Sequence, residues 1–256
     1  MKKIRTLLFL VFLYLPTLKA EDYSDCFFPG EVTKYKIYWM GIPLAWSQTT
    51  TDSITKDGKK LIRITVITQN YIPVYSVDDR TVILIDPATA LPISIDITLN
   101  EGSVHEKTIT TFFHDKKVAV FQDRIAKTIK EIPINKTTKD LYSFIYSVRK
   151  HKLKEIAGKK YKLLVDGKMY ELGFKIHPDK KISVPEYGDV LCTTIEPIAQ
   201  FDGIFIRKGK ILFWVSKENP HIITCAKTKV AVGKITIQLQ SVSGPGKDFW
   251  IKKKEQ

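Results

Sequence analysis

The stretch Val32-Thr33-Lys34-Tyr35-Lys36-Ile37-Tyr38-Trp39 alternates apolar and polar side chains. Successive side chains of a β-strand point to opposite faces, so this period of two is typical of a strand with one buried face. Residues 61–68 repeat the pattern, and both runs are rich in the β-branched and aromatic residues that strands favour. These two runs predict a β-rich fold.

Ten further short runs share this composition, and turn residues separate them. They are residues 81–85, 93–99, 108–113, 117–121, 161–165, 170–176, 189–195, 210–215, 222–229 and 234–239. Asp57-Gly58 and Asp166-Gly167 are strong hairpin signals, because Asp-Gly favours two-residue turns between antiparallel strands. The chain is therefore predicted to be mainly β, with a strongly curved antiparallel sheet that forms a β-roll or half-barrel.

One segment has a helical period instead. Its apolar residues recur at i, i+3, i+4 and i+7, at Leu141, Phe144, Ile145 and Val148. Thr137 or Thr138 is expected to cap its start, and the basic residues 149–154 suit a helix C-terminus. We therefore predict one amphipathic helix near residues 138–156, which packs on the sheet or plugs it.

The first 20 residues have the layout of a secretory signal peptide. Lys2, Lys3 and Arg5 precede an apolar run at residues 7–15, and Ala20 stands before an acidic pair. Cleavage is expected after Ala20, which makes the protein periplasmic or secreted. Residues 21–243 are then interpreted as a single β-rich domain, and residues 244–256 as a basic tail. No later run is long and apolar enough for a transmembrane helix.

The chain is strongly basic, with a formal net charge of +14. Four basic residues leave with the signal peptide, so the mature charge is +10. Such a charge favours contact with anionic surfaces, and export argues against nucleic acid as the partner. The expected partners are therefore a lipid, a lipoprotein or a glycan of the cell envelope.

Three cysteines are present, at Cys26, Cys192 and Cys225. An oxidising compartment would favour one bridge and leave one thiol over. Cys192 and Cys225 both lie in apolar strand-like runs, so they form the candidate disulfide. The alternative is three unpaired thiols.

No motif for catalysis, a cofactor or a metal is found in the sequence. The five histidines show no HExxH spacing, and neither a CxxC pair nor a GxSxG elbow is present. Asp78 and Asp79 are the candidate carboxylates for glycosidase-like chemistry, and a helix cap or a loop ion pair explains them equally well. We assign no catalytic, cofactor-binding or metal-binding residue and expect the protein not to be an enzyme.

Aromatic residues in the later part of the chain allow two interpretations. They include Tyr142, Phe144, Tyr146, Phe201, Phe205, Phe213 and Trp214. At strand spacing they are typical of a packed core. A curved sheet whose interior is incompletely filled would instead offer an apolar groove for one ligand.

Three segments taken together resemble an exported bacterial family, the domain of unknown function 3108. They are the opening from Gly30-Glu31 to Gly41-Ile42, the helical segment 140–149, and the closing stretch 205–235. The resemblance implies a secreted or periplasmic β-rich protein without an established activity, and it supplies no catalytic residues. Beside it, Arg149 is expected to pair with a carboxylate of the sheet, and Trp214 to pack the helix against the sheet.

The leading functional hypothesis is a non-enzymatic binding or carrier protein for an apolar or envelope ligand. The alternative is a structural or assembly factor that binds another envelope protein through its surface or a sheet edge. A third hypothesis, a glycan hydrolase, requires two carboxylates that face one cleft.

Overall fold

The structure is a computed structural model that describes residues 21–71, 76–199, 211–218, 220–230 and 232–245. These residues form one antiparallel sheet of 14 strands, which is not closed into a barrel. The strands are β1 (Val32–Trp39), β2 (Ile42–Lys56), β3 (Lys59–Asn70), β4 (Asp78–Asp86), β5 (Leu91–Glu101), β6 (Val104–Phe113), β7 (Val118–Asp123), β8 (Thr128–Pro133), β9 (Tyr161–Val165), β10 (Lys168–Val184), β11 (Gly188–Ala199), β12 (Ile211–Ser216), β13 (Ile223–Lys229) and β14 (Lys234–Ser243).

The strand order follows from a simple path of the chain. β1 lies in the middle of the sheet, and β2 to β8 are added one after another on one side of it. The chain then forms the helix α1 (Leu141–Val148) and enters the far edge of the other side as β9. Strands β10 to β14 return to the middle, where β14 pairs with β1. Each half of the sheet is therefore built from sequential hairpins.

The C-terminal strands curl until β10 reaches β14. The Tyr187 hydroxyl donates to the Val242 carbonyl oxygen at 2.6 Å, and Gln238 Nε2 donates to the Ser183 carbonyl oxygen at 2.9 Å. Their inner face holds one core cluster, made of Val184, Val190, Cys192, Trp214, Ile222, Cys225, Leu239 and Val242. This half is filled by side chains that come almost entirely from its own strands.

The N-terminal strands curve around other elements instead. Ile64 and Ile83, both fully buried, pack with Phe27 from the segment before β1 and with Tyr146 of α1. Farther along, Phe112, Ala119 and Ile132 of β6 to β8 pack with Leu164 of β9. The helix therefore lies inside the curve of this half, which agrees with the prediction that it packs on the sheet or plugs it.

The predicted β-rich class, curved antiparallel sheet and single amphipathic helix are confirmed. All twelve predicted runs lie on strands, while β2 and β8 were not predicted. The predicted helix boundaries were too wide, since α1 covers only Leu141–Val148 and a separate 3-10 turn follows at Leu153–Ile156. Lys152 between them has extended backbone, with φ −64° and ψ 129°, which ends any continuous helix.

The disulfide predicted between Cys192 and Cys225 is not formed. All three cysteines are buried free thiols, and Cys192 Sγ lies 3.1 Å from Thr224 Oγ1. Cys192 is on β11 and Cys225 is on β13, so β12 separates them. The Cys192 thiol reaches toward β13 but contacts the Thr224 hydroxyl, and its sulfur is not bonded to that of Cys225.

The expectation for Trp214 was also wrong. Its ring belongs to the strand-built C-terminal core, not to the contact between the helix and the sheet. Within the part of the chain that the structure describes, no helix has the length and apolarity to cross a bilayer. The proposed signal peptide and residues 246–256 of the proposed tail lie outside the described residues.

Candidate functional site

The start of α1 is fixed by a buried capping box at Asp140. Its carboxylate accepts hydrogen bonds from the backbone N–H groups of Tyr142 (2.7 Å) and Ser143 (3.3 Å). In return, the Asp140 N–H donates to Ser143 Oγ at 3.1 Å. The predicted cap at Thr137 or Thr138 was wrong, because both hydroxyls bond to Asn135 instead.

The end of α1 is fixed by a buried ion pair. Arg149 Nη1 and Nη2 each donate to one carboxylate oxygen of Glu31, both at 2.8 Å. Glu31 directly precedes β1, so the pair confirms the expected contact between Arg149 and a carboxylate at the sheet. The guanidinium also lies 4.2 Å from the ring centre of Tyr146, whose hydroxyl is 2.9 Å from Thr51 Oγ1. The C-terminal end of α1 is therefore anchored to the segment that leads into β1.

One face of α1 meets the outer face of the C-terminal strands across an apolar cleft, here called the cleft. Its cavity volume is about 70 Å³. The lining comes from α1, from Ile156 after it, and from β10 to β13, and is apolar except for His221. The residues are Leu141, Phe144, Ile145, Val148, Ile156, Leu172, Phe174, Ile195, Pro197, Phe213, Val215, His221 and Ile223.

The cleft exists because β12 is apolar on both faces. Trp214 points into the C-terminal core, while its neighbours Phe213 and Val215 point to the cleft. A strand buried on both faces has a continuous apolar run rather than an alternating one. Residues 211–215 form such a run, Ile-Leu-Phe-Trp-Val, and this was the sequence signal for a second layer over the sheet.

A second pocket adjoins the cleft and differs from it in charge. This basic pocket has a volume of about 680 Å³ and is lined by four lysines and two histidines, with Glu155 as the one acidic residue in its wall. The basic residues are Lys150, His151, Lys152, Lys154, Lys217 and His221. Lys150 and Lys217 lie close to Asp25 (3.1 Å) and Asp179 (2.6 Å), which partly offset their charge. Lys152 and Lys154 are exposed.

His221 is shared by the cleft and the basic pocket. Burial lowers the pKa of its imidazole, although the contact between its Nδ1 and the Ser216 carbonyl oxygen (2.9 Å) acts in the opposite direction. The ring is therefore neutral at neutral pH, and Nδ1 donates to the carbonyl. A neutral ring is compatible with both the apolar and the basic wall.

The other residues considered from sequence do not assemble into a site. Asp78 accepts from Gln69 Nε2 and Asp79 accepts from the Asn100 N–H, at 3.0 and 2.8 Å. As neighbours on β4 they project to opposite faces, so they do not face one cleft. Phe144 and Phe213 line the cleft, Tyr142 and Tyr146 pack in the N-terminal core, and Phe201 and Phe205 lie outside the described residues.

In the part of the chain that the structure describes, neither the cysteines nor the residue types that bind metals form a reactive centre. Burial raises the pKa of the Cys26 thiol to about 12 and that of Cys192 to about 11. No three His, Cys, Asp or Glu side chains of the described ranges are grouped as metal ligands would be.

Residues 34–240 match the family described as "Protein of unknown function (DUF3108)". The chain belongs to this family. The matched range contains α1, Arg149 and all the strands that line the cleft, whereas Glu31 lies just before it. The family resemblance inferred from three short segments is therefore confirmed.

A solved structure with a similar fold comes from Brucella abortus. It is a beta-barrel-like protein of the domain of unknown function DUF1849, with a TM-score of 0.56 and 9% sequence identity. The alignment covers 86% of this chain and 99% of that one. At this identity the similarity shows a shared fold alone. No curated protein matches the chain.

Proposed function

We propose that the protein is a non-enzymatic, exported binding protein for an anionic amphiphile of the cell envelope. The observation that carries the proposal is the junction of the apolar cleft with the basic pocket at His221. An apolar chain end would enter the cleft, and an anionic headgroup would lie among Lys150, Lys152 and Lys154. The signal-peptide layout of the first 20 residues supports a periplasmic location.

The size of the two spaces favours a particular mode of binding. The interior of the C-terminal strands is filled, and the cleft of about 70 Å³ is smaller than ordinary ligand pockets, which hold roughly 300–1,000 Å³. A long chain cannot be enclosed without movement of α1. The ligand is therefore expected to place most of its bulk in the basic pocket and only a short apolar segment under α1.

The test uses a fluorescent fatty acid with a short apolar chain and its methyl ester as probes for the purified protein. Ile145→Gln makes one wall of the cleft polar and should weaken binding of both probes by roughly tenfold, because apolar contact is replaced by an amide that must be desolvated. Lys152→Gln combined with Lys154→Gln should weaken binding of the acid several-fold and leave the ester unchanged. Lys60→Gln, an exposed change on β3, is the matched control.

The proposal fails if neither probe binds, or if Ile145→Gln binds both as the natural protein does. If only the lysine variants bind the acid as the natural protein does, the apolar cleft remains the binding site, but the proposed contact between an anionic headgroup and the lysines is wrong. Native mass spectrometry of the protein purified from its own envelope gives an independent readout, since a bound amphiphile adds its mass.

One observation favours the alternative of an assembly factor. β8 is an edge strand of the sheet, and its Ile129 is 70% exposed. Edge strands offer unpaired backbone groups to a partner strand, although Lys130, Glu131 and Pro133 on β8 are residue types that protect such edges. Crosslinking in cells from position 129 to an envelope protein, with no amphiphile bound to the purified chain, would support this function instead.

A further inference from the structure

Four large apolar side chains are exposed together on two adjacent turns at one end of the sheet. Trp39, Met40 and Ile42 belong to the turn between β1 and β2, with exposed fractions of 38%, 58% and 55%. Val232 belongs to the turn between β13 and β14 and is 67% exposed. We call these four residues the tip. It brings together parts of the opening and closing segments through which the sequence resembles its family.

The tip has a defined structure, because specific contacts join its two turns. Trp39 Nε1 donates to the Val232 carbonyl oxygen at 2.8 Å, and the Met40 N–H donates to the Lys234 carbonyl oxygen at 3.0 Å. A Cβ atom placed on Gly233 would lie 2.5 Å from Met40 Cγ, so the Met40 side chain lies directly over this glycine. The apolar side chains are therefore held in one place rather than scattered.

Met40 occupies a position that local folding does not favour for methionine. Its φ is 51° and that of Gly41 is 91°, as in the two-residue turns that connect hairpins. Asn, Asp and Gly are the usual residues at such a position, and a bulky side chain there is strained. An exposed, strained apolar residue indicates a role outside the stability of the turn.

Three of the four strands that carry the tip are basic and contain no acidic residue, and the one acidic residue of β2, Asp52, lies far along that strand from Ile42. Lys229 and Lys234 are exposed and directly opposite each other in the register of β13 and β14. Like charges at such a position repel, and an anionic surface would relieve the repulsion. β1, β13 and β14 contain no Asp or Glu at all. An apolar tip flanked by lysines is complementary to an anionic lipid surface.

We propose that the tip docks the protein on a membrane that contains anionic phospholipids. Trp39 would lie at the headgroup level, where tryptophan is enriched in membrane proteins, and Met40, Ile42 and Val232 would enter the acyl boundary. Lys229 and Lys234 would contact phosphate groups. The tip is separate from the cleft, since Ile223 of the cleft and Lys229 lie at opposite ends of β13, roughly 20 Å apart. Membrane docking through the tip can therefore be tested independently of ligand binding in the cleft.

Flotation with lipid vesicles tests the proposal. The full protein should bind vesicles of phosphatidylcholine with phosphatidylglycerol, and should bind vesicles of phosphatidylcholine alone much more weakly. Met40→Asn together with Val232→Thr should reduce binding to the mixed vesicles by roughly tenfold or more, because two apolar side chains no longer leave water. Lys229→Gln with Lys234→Gln should reduce it by a similar factor and should flatten its dependence on salt.

Two further variants separate docking from folding. Met40→Asn alone should raise the urea midpoint of unfolding while it weakens vesicle binding, since asparagine suits a positive φ. Ile129→Thr removes another exposed apolar residue, on β8, and should bind vesicles as the natural protein does. Absence of binding to mixed vesicles, or equal loss from Ile129→Thr and the tip variants, would overturn the proposal.

Discussion

The two halves of the sheet bury their inner faces in different ways. The C-terminal strands curl on themselves and fill their interior with strand side chains such as Trp214 and Leu239. The N-terminal strands wrap around elements that are not strands, and Phe27 and Tyr146 complete their core. The first arrangement packs its interior with its own side chains. The second depends on α1, and the cleft lies where α1 meets the outer face of the C-terminal strands.

This difference explains why the candidate site lies between the halves. A self-contained C-terminal core frees the outer face of β10 to β13 for a second layer. α1 supplies that layer, but it is only eight residues long; Asp140 caps its start, and Arg149 anchors its end to Glu31. Its middle contacts the strands imperfectly, and the cleft is the result.

The largest expected effect comes from cutting the link between α1 and the start of β1. Arg149→Met leaves the Glu31 carboxylate buried, 1% exposed, without its charged partner. Loss of one partner of a buried pair typically costs about 3–5 kcal/mol, and the free energy of unfolding in urea should fall by that amount. The N-terminal half, which depends on α1, should lose its structure first.

The matched control replaces both partners. Glu31→Leu combined with Arg149→Met leaves no buried charge and should recover much of the lost stability. If the single variant is as stable as the natural protein, the pair does not hold α1 to the start of β1, and the N-terminal half does not depend on this contact.

A smaller effect should distinguish the filled core from the cleft. Leu239→Ala opens a cavity in a fully buried position and should cost about 3 kcal/mol in the free energy of unfolding. Ile145→Ala enlarges a space that already exists on a half-buried face and should cost about 1 kcal/mol. Equal costs at the two positions would mean that the cleft is packed as tightly as the core.

Much of the fold could be predicted from the sequence, because alternation and turn chemistry are local signals. The positive φ values of Asp57, Gly58, Asp166 and Gly167 agree with the predicted hairpins. β2 was missed because Pro43 and the polar run at residues 48–53 weaken the apolar pattern. The strand forms there because it has a neighbour on each side: β1 pairs with residues 42–50 and β3 pairs with residues 45–56.

The site was less predictable, because its parts are assembled by tertiary contacts. Neither the choice of Asp140 over Thr138 as the cap nor the partner of Arg149 can be inferred from spacing alone. Cys192 and Cys225 share a core cluster, yet their sulfurs are unbonded, and the Cys192 thiol contacts the Thr224 hydroxyl instead. The basic residues 149–154 suit the end of a helix in sequence, but residues 150–154 form one wall of a pocket.

The smallest expected effect is the dependence of stability on pH, through His221 at the boundary of the two halves. Burial depresses the pKa of His221 in the folded protein below its value in the unfolded chain. The folded state therefore binds fewer protons, so the stability that the neutral ring contributes is complete above the unfolded pKa of roughly 6.5 and is lost as pH falls through the folded pKa. His221→Asn keeps a donor to the Ser216 carbonyl oxygen without a titrating group. Urea midpoints at neutral and mildly acidic pH should fall less on acidification in this variant than in the natural protein, whereas His105→Asn, at an exposed position, should behave as the natural protein does. Identical pH dependence in all three proteins would show that His221 is not held neutral, and the cleft wall would then be open to water at low pH.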